Sequence, residues 1–600
     1  MISSPLLRPA SDIRRRPNGT SGISSLYINS EGTAPALRVG VLLESESLPN
    51  VFANVLEDIV ASNFAELALL VFNGENAGVT EGTEVRAKRS LSRKIAERIG
   101  DPKIRRKLMY DLYLTLDERA KPAGDPLKLV DCSDLFRYID RLDVLPARKG
   151  FVHRFPPDAV DAIRKYRLDV LLRFGFNILK GDVLNSARYG IWSYHHGDND
   201  FYRGGPAHFW EIYEHNPVSG VILQRLTETL DGGLVLCKSL FHTADSLLVS
   251  QNRYSPYWDT SHFVIWKLNE LHRHGWEYVQ SRAVPNAPYQ GKRKLYRNPT
   301  NWEIVKWLGP QVIQRVARKP LERPIVRHWR IAIRRGGTPI YSTGADLKMD
   351  GFRFQESPQG HFWADPFLIQ QDGKTYAFFE DYSYAERRGV ISCAEIHPDG
   401  GLGQPQICLD TGMHLSYPMV FQHEGETYLI PESADSRNVV LYRATKFPYG
   451  WKPEKVLFEG LVALDTTAHM QDGLWWFFTT LAERGGNAKL MLFYADSLTG
   501  EWQYHPANPI SSDIRRARAA GRIIRDGARL LRPSQDGAAA YGHSFSFNEI
   551  LTLTRTEYRE RVFREISPTW EKGLIGTHTY NSCPGFEIVD GRAVRPAKDC

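Results

Sequence analysis

The sequence predicts a multidomain protein, an α/β Rossmann-type domain followed by an all-β five-bladed propeller. Three observations carry that prediction. At 600 residues and 42% hydrophobic, the chain exceeds what one ordinary core organises, so two or three domains are expected. Near its start an apolar run at 37–43, an amphipathic stretch at 51–60 and a second apolar run at 67–72 give the strand, helix, strand order of a parallel sheet. After residue 326 the pattern switches to alternation, and three-strand units starting at Asp365, Tyr417 and Asp465 recur about every 50 residues, the spacing of propeller blades.

Taken in order, residues 1–35 are rich in Ser, Pro, Gly and Arg, with too few apolar groups to offset ordering, and are expected to be disordered. The α/β domain is assigned to 36–250. Its first turn, Glu44-Ser45-Glu46-Ser47, has no glycine fingerprint, which disfavours dinucleotide binding because side chains would block a pyrophosphate. Residues 74–150, basic and helical over Arg86 to Arg119, read as an insertion or a hairpin facing a partner. The α/β pattern resumes with a helix at 157–164 and a strand at 169–175. Residues 251–325 are read as a helical closing segment and linker, with helices at 263–272 and 301–317 around a polar stretch, 286–298. The propeller takes 326–600. Its fourth blade is placed on 520–524 and 550–553 and its fifth on 577–580 and a strand about Phe586; 329–333 could close the ring by pairing with the last blade.

A net charge of +7 over this length is far from the density that argues for nucleic-acid binding. The six cysteines show no close pairing and no metal-ligand spacing, so a reduced, cytoplasmic location is expected. No apolar window long enough to span a membrane occurs, and no signal peptide is read.

The chemistry is expected where the apolar run 189–192 feeds a histidine pair and a Gly-rich, Pro-ended loop, Ser193 through Pro206. Ser193 and His195, two residues apart on a strand, point to the same side. Asp231 can return as the carboxylate that orients the imidazole. A metal is not expected, because the adjacent His195 and His196 face opposite sides of a strand.

This pattern resembles the formyltransferase fold, the group of methionyl-tRNA and sugar N-formyltransferases. His195 matches the family's histidine, Tyr202-Arg203-Gly204 its following loop, and Gly220-Val221-Ile222 leads into Leu230-Asp231-Gly232-Gly233. The family's asparagine, which donates to the oxyanion, is Ser193 here. The resemblance implies His195, Asp231 and Ser193 as catalytic residues and 10-formyltetrahydrofolate as donor. Phe174, Gly175, Phe176, Ile178 and Asp231 would bind that cofactor, with Tyr202 and Arg203 on the substrate side. A sugar or nucleotide-sugar would accept the group, in surface-glycan biosynthesis.

The second half resembles the five-bladed propeller at the N-terminus of plant glucosamine inositolphosphorylceramide transferases and, more loosely, the glycoside hydrolase 43 class. The Trp363-Ala364-Asp365-Pro366 and Pro431-Glu432-Ser433 pieces carry the likeness. Carboxylates at inner-strand ends of such propellers flank the glycosidic bond, and Asp365, Glu380, Glu432 and Asp465 are the candidates. Blade four offers Arg515, Arg516, Arg518 and Arg522 where a catalytic acid would be wanted, so glycan binding is favoured over hydrolysis. The arginine series through Arg532 is a candidate anion site. Two other readings stand beside formyl transfer: a non-catalytic glycan-binding protein with a degenerate first domain, and a propeller glycosidase.

Overall fold

The computed structural model describes residues 23–76, 107–230, 232–318, 325–342, 349–483 and 486–596. The chain divides into two compact units, Ile23–Lys319 and the part from Pro320 onward.

The first unit is built on a seven-stranded sheet. Among its inner strands is Leu37–Leu43, whose sequence LRVGVLL is buried at all but one position, as a strand covered on both faces must be. It pairs in parallel with Ala65–Asn73 on one side and Val170–Arg173 on the other. Arg141–Val144 extends the sheet past Ala65–Asn73, and Ile191–His195 extends it past Val170–Arg173. Two antiparallel strands, Val218–Arg225 and Leu234–His242, complete it. The carboxyl ends of the central strands therefore bring Glu44, Arg173 and His195 to one edge, where open α/β sheets hold their ligands.

Three sequence expectations are corrected here. The unstructured segment stops short of residue 35: Tyr27 is buried and stacks on His262, and the Asn269 amide donates to the carbonyls of Tyr27 and Asn29, both at 2.8 Å. The apolar residues of this short piece suffice because the helix Phe263–Ser281 offers it a partner surface. Second, the polar stretch within 251–325 is not a linker. Asn286 donates to Gly233 O at 3.2 Å, Gln290 N to Asp200 O at 2.7 Å and Tyr296 N to Arg203 O at 2.8 Å, so it walls the His195 loop. Third, the described part of 74–150 supplies the edge strand Arg141–Val144, and the helix Leu108–Arg119 buries Tyr110 and Tyr113 in an aromatic cluster with Phe209, Trp210 and Trp307. Residues 77–106 of that segment lie outside the described residues.

From 325 onward the described residues form five successive antiparallel sheets. The first three begin at His361–Gln371, Ser416–His423 and Ala463–Gln471. In each, the first hairpin turns on Asp372-Gly373, Glu424-Gly425 or Asp472-Gly473, with φ positive at both residues. That geometry matches the twist of the flanking strands. Each of these first strands also carries a bulge, and Asp365 (φ 49°), Tyr417 (φ 43°) and Asp465 (φ 49°) sit there in the left-handed region. The fourth sheet runs Ile524–Asp526, Arg529–Asp536, Ser544–Leu553 and Tyr558–Ile566. In the last sheet, Phe586–Pro596 pairs antiparallel with Ile325–Arg335 from Arg335↔Phe586 to Ile325↔Pro596, joining the end of this unit to its beginning.

The strand expected at 520–524 is mostly a loop. Gly521 takes φ 135°, and a Cβ there would lie 2.0 Å from Tyr580 O. Its N–H donates to the Tyr417 hydroxyl at 2.8 Å. The loop thus threads between first strands instead of pairing with one. Residues 577–579 likewise carry no strand, which begins at Tyr580.

Candidate functional site

Two clusters of chemistry-bearing side chains stand out, one in each unit. In the first unit, His195 lines a cleft of ≈70 Å³ together with Arg173, Asn177, Gln224 and Glu228. Its Nε2 donates to Tyr202 O at 2.8 Å. His196, next along the chain, stacks on Tyr257 with ring centroids 3.6 Å apart, and burial holds its pKa well below the usual value. The two histidines thus part company as strand alternation requires.

Ser193 lies behind Arg173 rather than in the cleft. It is 1% exposed, accepts from Arg173 Nε at 3.0 Å and donates to Tyr194 O at 3.1 Å. The expectation that its hydroxyl faces a reacting oxyanion is therefore corrected; Arg173 lines the cleft instead, with its Nη1 donating to Phe176 O and Asn177 O, both at 3.1 Å. The strand register pairs Ser193 with Arg173, and a pairing made across some twenty residues leaves no local signal in the sequence. Asp231 lies outside the described residues.

Of the residues expected to hold a folate, Ile178 lines the cleft. Phe174 stacks on Phe52 at 4.5 Å, Phe176 packs on Phe155, and a Cβ at Gly175 would meet the Leu43 backbone at 2.5 Å. Among the described residues expected to hold 10-formyltetrahydrofolate, then, Ile178 alone lines the cleft. Tyr202 and Arg203 serve the loop's own architecture: the Tyr202 hydroxyl is held by Glu214 and Asn216, and the Arg203 guanidinium sits 4.5 Å over the Tyr289 ring while its Nε donates to Asn199 O. Lys238 takes both nearby carboxylates, Asp198 at 2.6 Å and Asp200 at 2.7 Å.

In the second unit the four carboxylates expected at strand ends are brought together. Asp365, Glu380, Glu432 and Asp465 are each under a tenth exposed. Arg518 bridges two of them, donating from Nε to Asp465 at 2.5 Å and from Nη2 to Glu432 at 3.3 Å. Asp465 also accepts from Gln535 at 3.0 Å, and its own N–H reaches Glu432 at 3.2 Å. Asp365 accepts from the Thr579 hydroxyl at 2.7 Å and lies 3.7 Å from His578 Nε2, whose Nδ1 is 2.6 Å from Asp590. Tyr541, half exposed, lies over the Arg518 guanidinium at 5.0 Å.

Burial raises the Asp365 carboxyl to about 6, with His578 pulling the other way and Asp465 and Asp590 adding to the rise. Burial, then the neighbouring Asp365 and Glu432, raises Glu380 well above the usual range. Glu432 is raised by burial and Asp465 against the pull of Arg518. Burial opposes charge on His578, but Asp590 and Asp365 outweigh it and hold the imidazole above its ordinary value. Burial thus favours the proton on Asp365, Glu380 and Glu432 beside a guanidinium, while Asp590 and Asp365 favour charge on the His578 imidazole, so donors and acceptors are gathered in one place. Asp365, His578 and Asp590 also offer ligand atoms within 4.8 Å of one another, a spacing a cation could use. Arg518 belongs to the blade-four arginines expected opposite the acids, whereas His578, Thr579, Gln535 and Asp590 carry no sequence signal, since they arrive from the 577–579 loop and from the strands Arg529–Asp536 and Phe586–Pro596.

The comparisons with known proteins fall mainly on the second unit. A family model described as "Glucosamine inositolphosphorylceramide transferase 1, N-terminal" matches residues 351–583. The glucosamine inositolphosphorylceramide transferase 1 of Oryza sativa subsp. japonica is 39% identical over 206 residues, 33% of this chain and 28% of the relative. That of Arabidopsis thaliana is 36% identical over 227 residues, 37% of this chain and 29% of the relative. The match thus spans less than a third of either relative's length. Among solved structures, glycinamide ribonucleotide transformylase 1 from Symbiobacterium toebii is 14% identical with a TM-score of 0.26, covering 44% of this chain and 100% of that one. An exo-β-1,3-galactanase from Clostridium thermocellum is 15% identical with a TM-score of 0.28, covering 35% of this chain and 53% of that one. Across residues 351–583, then, this chain is similar to the N-terminal region of glucosamine inositolphosphorylceramide transferases.

Proposed function

We propose that this protein is a sugar-directed transferase in glycan synthesis, and that the acid cluster of its second unit is the saccharide site. One observation carries the reading: Asp365, Glu380, Glu432 and Asp465, set on strands of three sheets, converge with Arg518 and His578. Such a mixture of donors and acceptors suits the hydroxyls of a sugar, and the Tyr541 ring beside it offers an apolar face. We take the five sheets as blades of one propeller, with the left-handed positions of Asp365 and Asp465 aiming their side chains inward. The relatives named as glucosamine inositolphosphorylceramide transferases support a sugar as ligand.

Arg518 engages two of the four acids, which favours recognition over hydrolysis. A glycosidase reading is kept by Glu380, whose raised pKa suits a general acid. Calorimetric titration of the full chain with oligosaccharides containing amino sugars separates the two. Binding without cleavage, weakened about tenfold or more by Asp365→Asn through the loss of a charged hydrogen bond, supports the saccharide site. Release of an aryl alcohol from an aryl glycoside, lost on Asp365→Asn, would move the assignment to hydrolysis. No response to any saccharide overturns both.

The transfer itself is assigned to the His195 cleft. His195 would take a proton from the attacking amine of an amino sugar, with Arg173 facing the oxygen on which charge develops. The group moved would be a formyl or related acyl group, by the resemblance of the first unit: its carbon bonds to the acceptor nitrogen as its bond to the donor breaks, and the departing donor takes up the proton that His195 received. Incubating the full chain with an amino sugar and 10-formyltetrahydrofolate, and following N-formyl product by mass spectrometry, tests this: no product, with no folate binding, removes the formyl reading while leaving the saccharide site standing.

A further inference from the structure

The arginines between 515 and 532 do not act as one patch. Arg515 and Arg516 pair with Asp513, Arg518 with Asp465 and Glu432, Arg529 with Asp526, and Arg532 with Glu560. Arg522 and Arg525 are left without a carboxylate among the described ion pairs, and both line one cavity of ≈370 Å³. Arg522 Nη2 donates to the carbonyls of Leu368 at 3.0 Å and Val420 at 2.7 Å, and its buried Nε has no hydrogen-bond partner. Burial pushes its pKa down with no carboxylate to compensate. Glu587, which also lines the cavity, is already engaged, accepting from Arg334, Ile340 N and Tyr580, and Asp526, next to Arg525 in the chain, holds Arg529.

The Arg522 guanidinium, its Nε buried without a partner or a carboxylate, is costly unless an anion arrives; the exposed Arg525 adds a second positive charge at the same cavity, and the planar forks of both match phosphate oxygens. Tyr341 and Phe586 give the cavity an apolar wall and Ser582 a hydroxyl, and its volume falls at the small end of ligand pockets, about 300–1,000 Å³. We infer that this cavity binds the phosphomonoester of a small polyol, a sugar phosphate, through Arg522 and Arg525. The site is separate from the acid cluster: Leu368, which anchors Arg522, is three residues beyond Asp365 on the same strand, roughly 10 Å away. The inference goes beyond the saccharide reading and does not depend on it.

Arg522 also ties two sheets together through its carbonyl contacts, so the exposed Arg525 is the cleaner probe. The full chain is titrated calorimetrically with a hexose 6-phosphate and with inorganic phosphate, as wild type, Arg525→Ala and Asp365→Asn. The wild type is expected to bind both, the hexose phosphate more tightly. Arg525→Ala should weaken both by about tenfold or more at unchanged melting temperature, as loss of a charge-assisted contact does, while Asp365→Asn leaves phosphate binding intact. Absence of binding by the wild type overturns the inference. So does phosphate binding that survives Arg525→Ala unchanged or disappears with Asp365→Asn. A folded Arg522→Lys protein that binds phosphate as wild type does would also count against it, since the fork would then be dispensable.

Discussion

At the scale of single residues, the heaviest consequences attach to Arg518. It is 14% exposed at the side chain and answers two buried carboxylates, so removing it leaves Asp465, 1% exposed, without its cation. Breaking such a pair costs about 3–5 kcal/mol, and Arg518→Ala should lose stability of that order in chemical denaturation. A loss under about 1 kcal/mol, the value of a surface ion pair, would mean that solvent reaches the acids. In the first unit, His195→Ala should cut transfer by about 10²–10⁴-fold as a proton-transfer group does, with little effect on folding. His196→Ala should instead lower stability, because the ring stacked on Tyr257 is removed. Equal loss of transfer in both folded variants would contradict the split. Ser193→Asn, which would restore the amide of the family pattern, is expected to cost about 1–3 kcal/mol by overpacking a position 1% exposed, with no gain in transfer. These side chains show how far sequence reading reached. Residue types and strand alternation separate His195 from His196, but Ser193's real partner comes from a neighbouring strand and carries no motif.

At the scale of elements, legibility follows how local the determinant is. The hairpins at Asp372-Gly373 and Asp472-Gly473 can be read from two residues because the turn itself demands positive φ at both. The 520–524 stretch reads as a strand, yet 520–523 form a loop because their conformation is set from outside, by the Tyr417 hydroxyl and the Tyr580 carbonyl. The two kinds of glycine should therefore respond differently. Gly473→Ala, with nothing within 4 Å of its Cβ, should cost only the left-handed backbone strain of about 1–2 kcal/mol. Gly521→Ala must displace the Tyr580 backbone and should cost more, and by moving Arg518 and Arg522 with it should weaken both saccharide and phosphate binding. Equal melting temperatures for the two variants would show that the loop yields freely. The 286–298 stretch is a similar case: its polar composition reads as part of a linker, yet the N–H groups of Gln290 and Tyr296 donate to the His195 loop.

At the scale of the whole molecule, the acid cluster leaves a pH signature. Asp365 is raised from its ordinary 3.8 to about 6, so the folded state holds its proton more tightly than the unfolded one. Its contribution to stability is complete below about 3.8 and is lost as pH rises through about 6. Wild type minus Asp365→Asn, measured by denaturation, should therefore shift against the wild type between those values and flatten above; a difference independent of pH would remove the raised carboxyl from the account. The central claim remains that the acid cluster receives a saccharide, and a crystal of the full chain soaked with an oligosaccharide containing an amino sugar tests it most directly. The account predicts a sugar ring in hydrogen-bond contact with Asp365, Glu380 or Arg518 and beside Tyr541. A saccharide ordered elsewhere, with the cluster still closed on its own ion pairs, would contradict it.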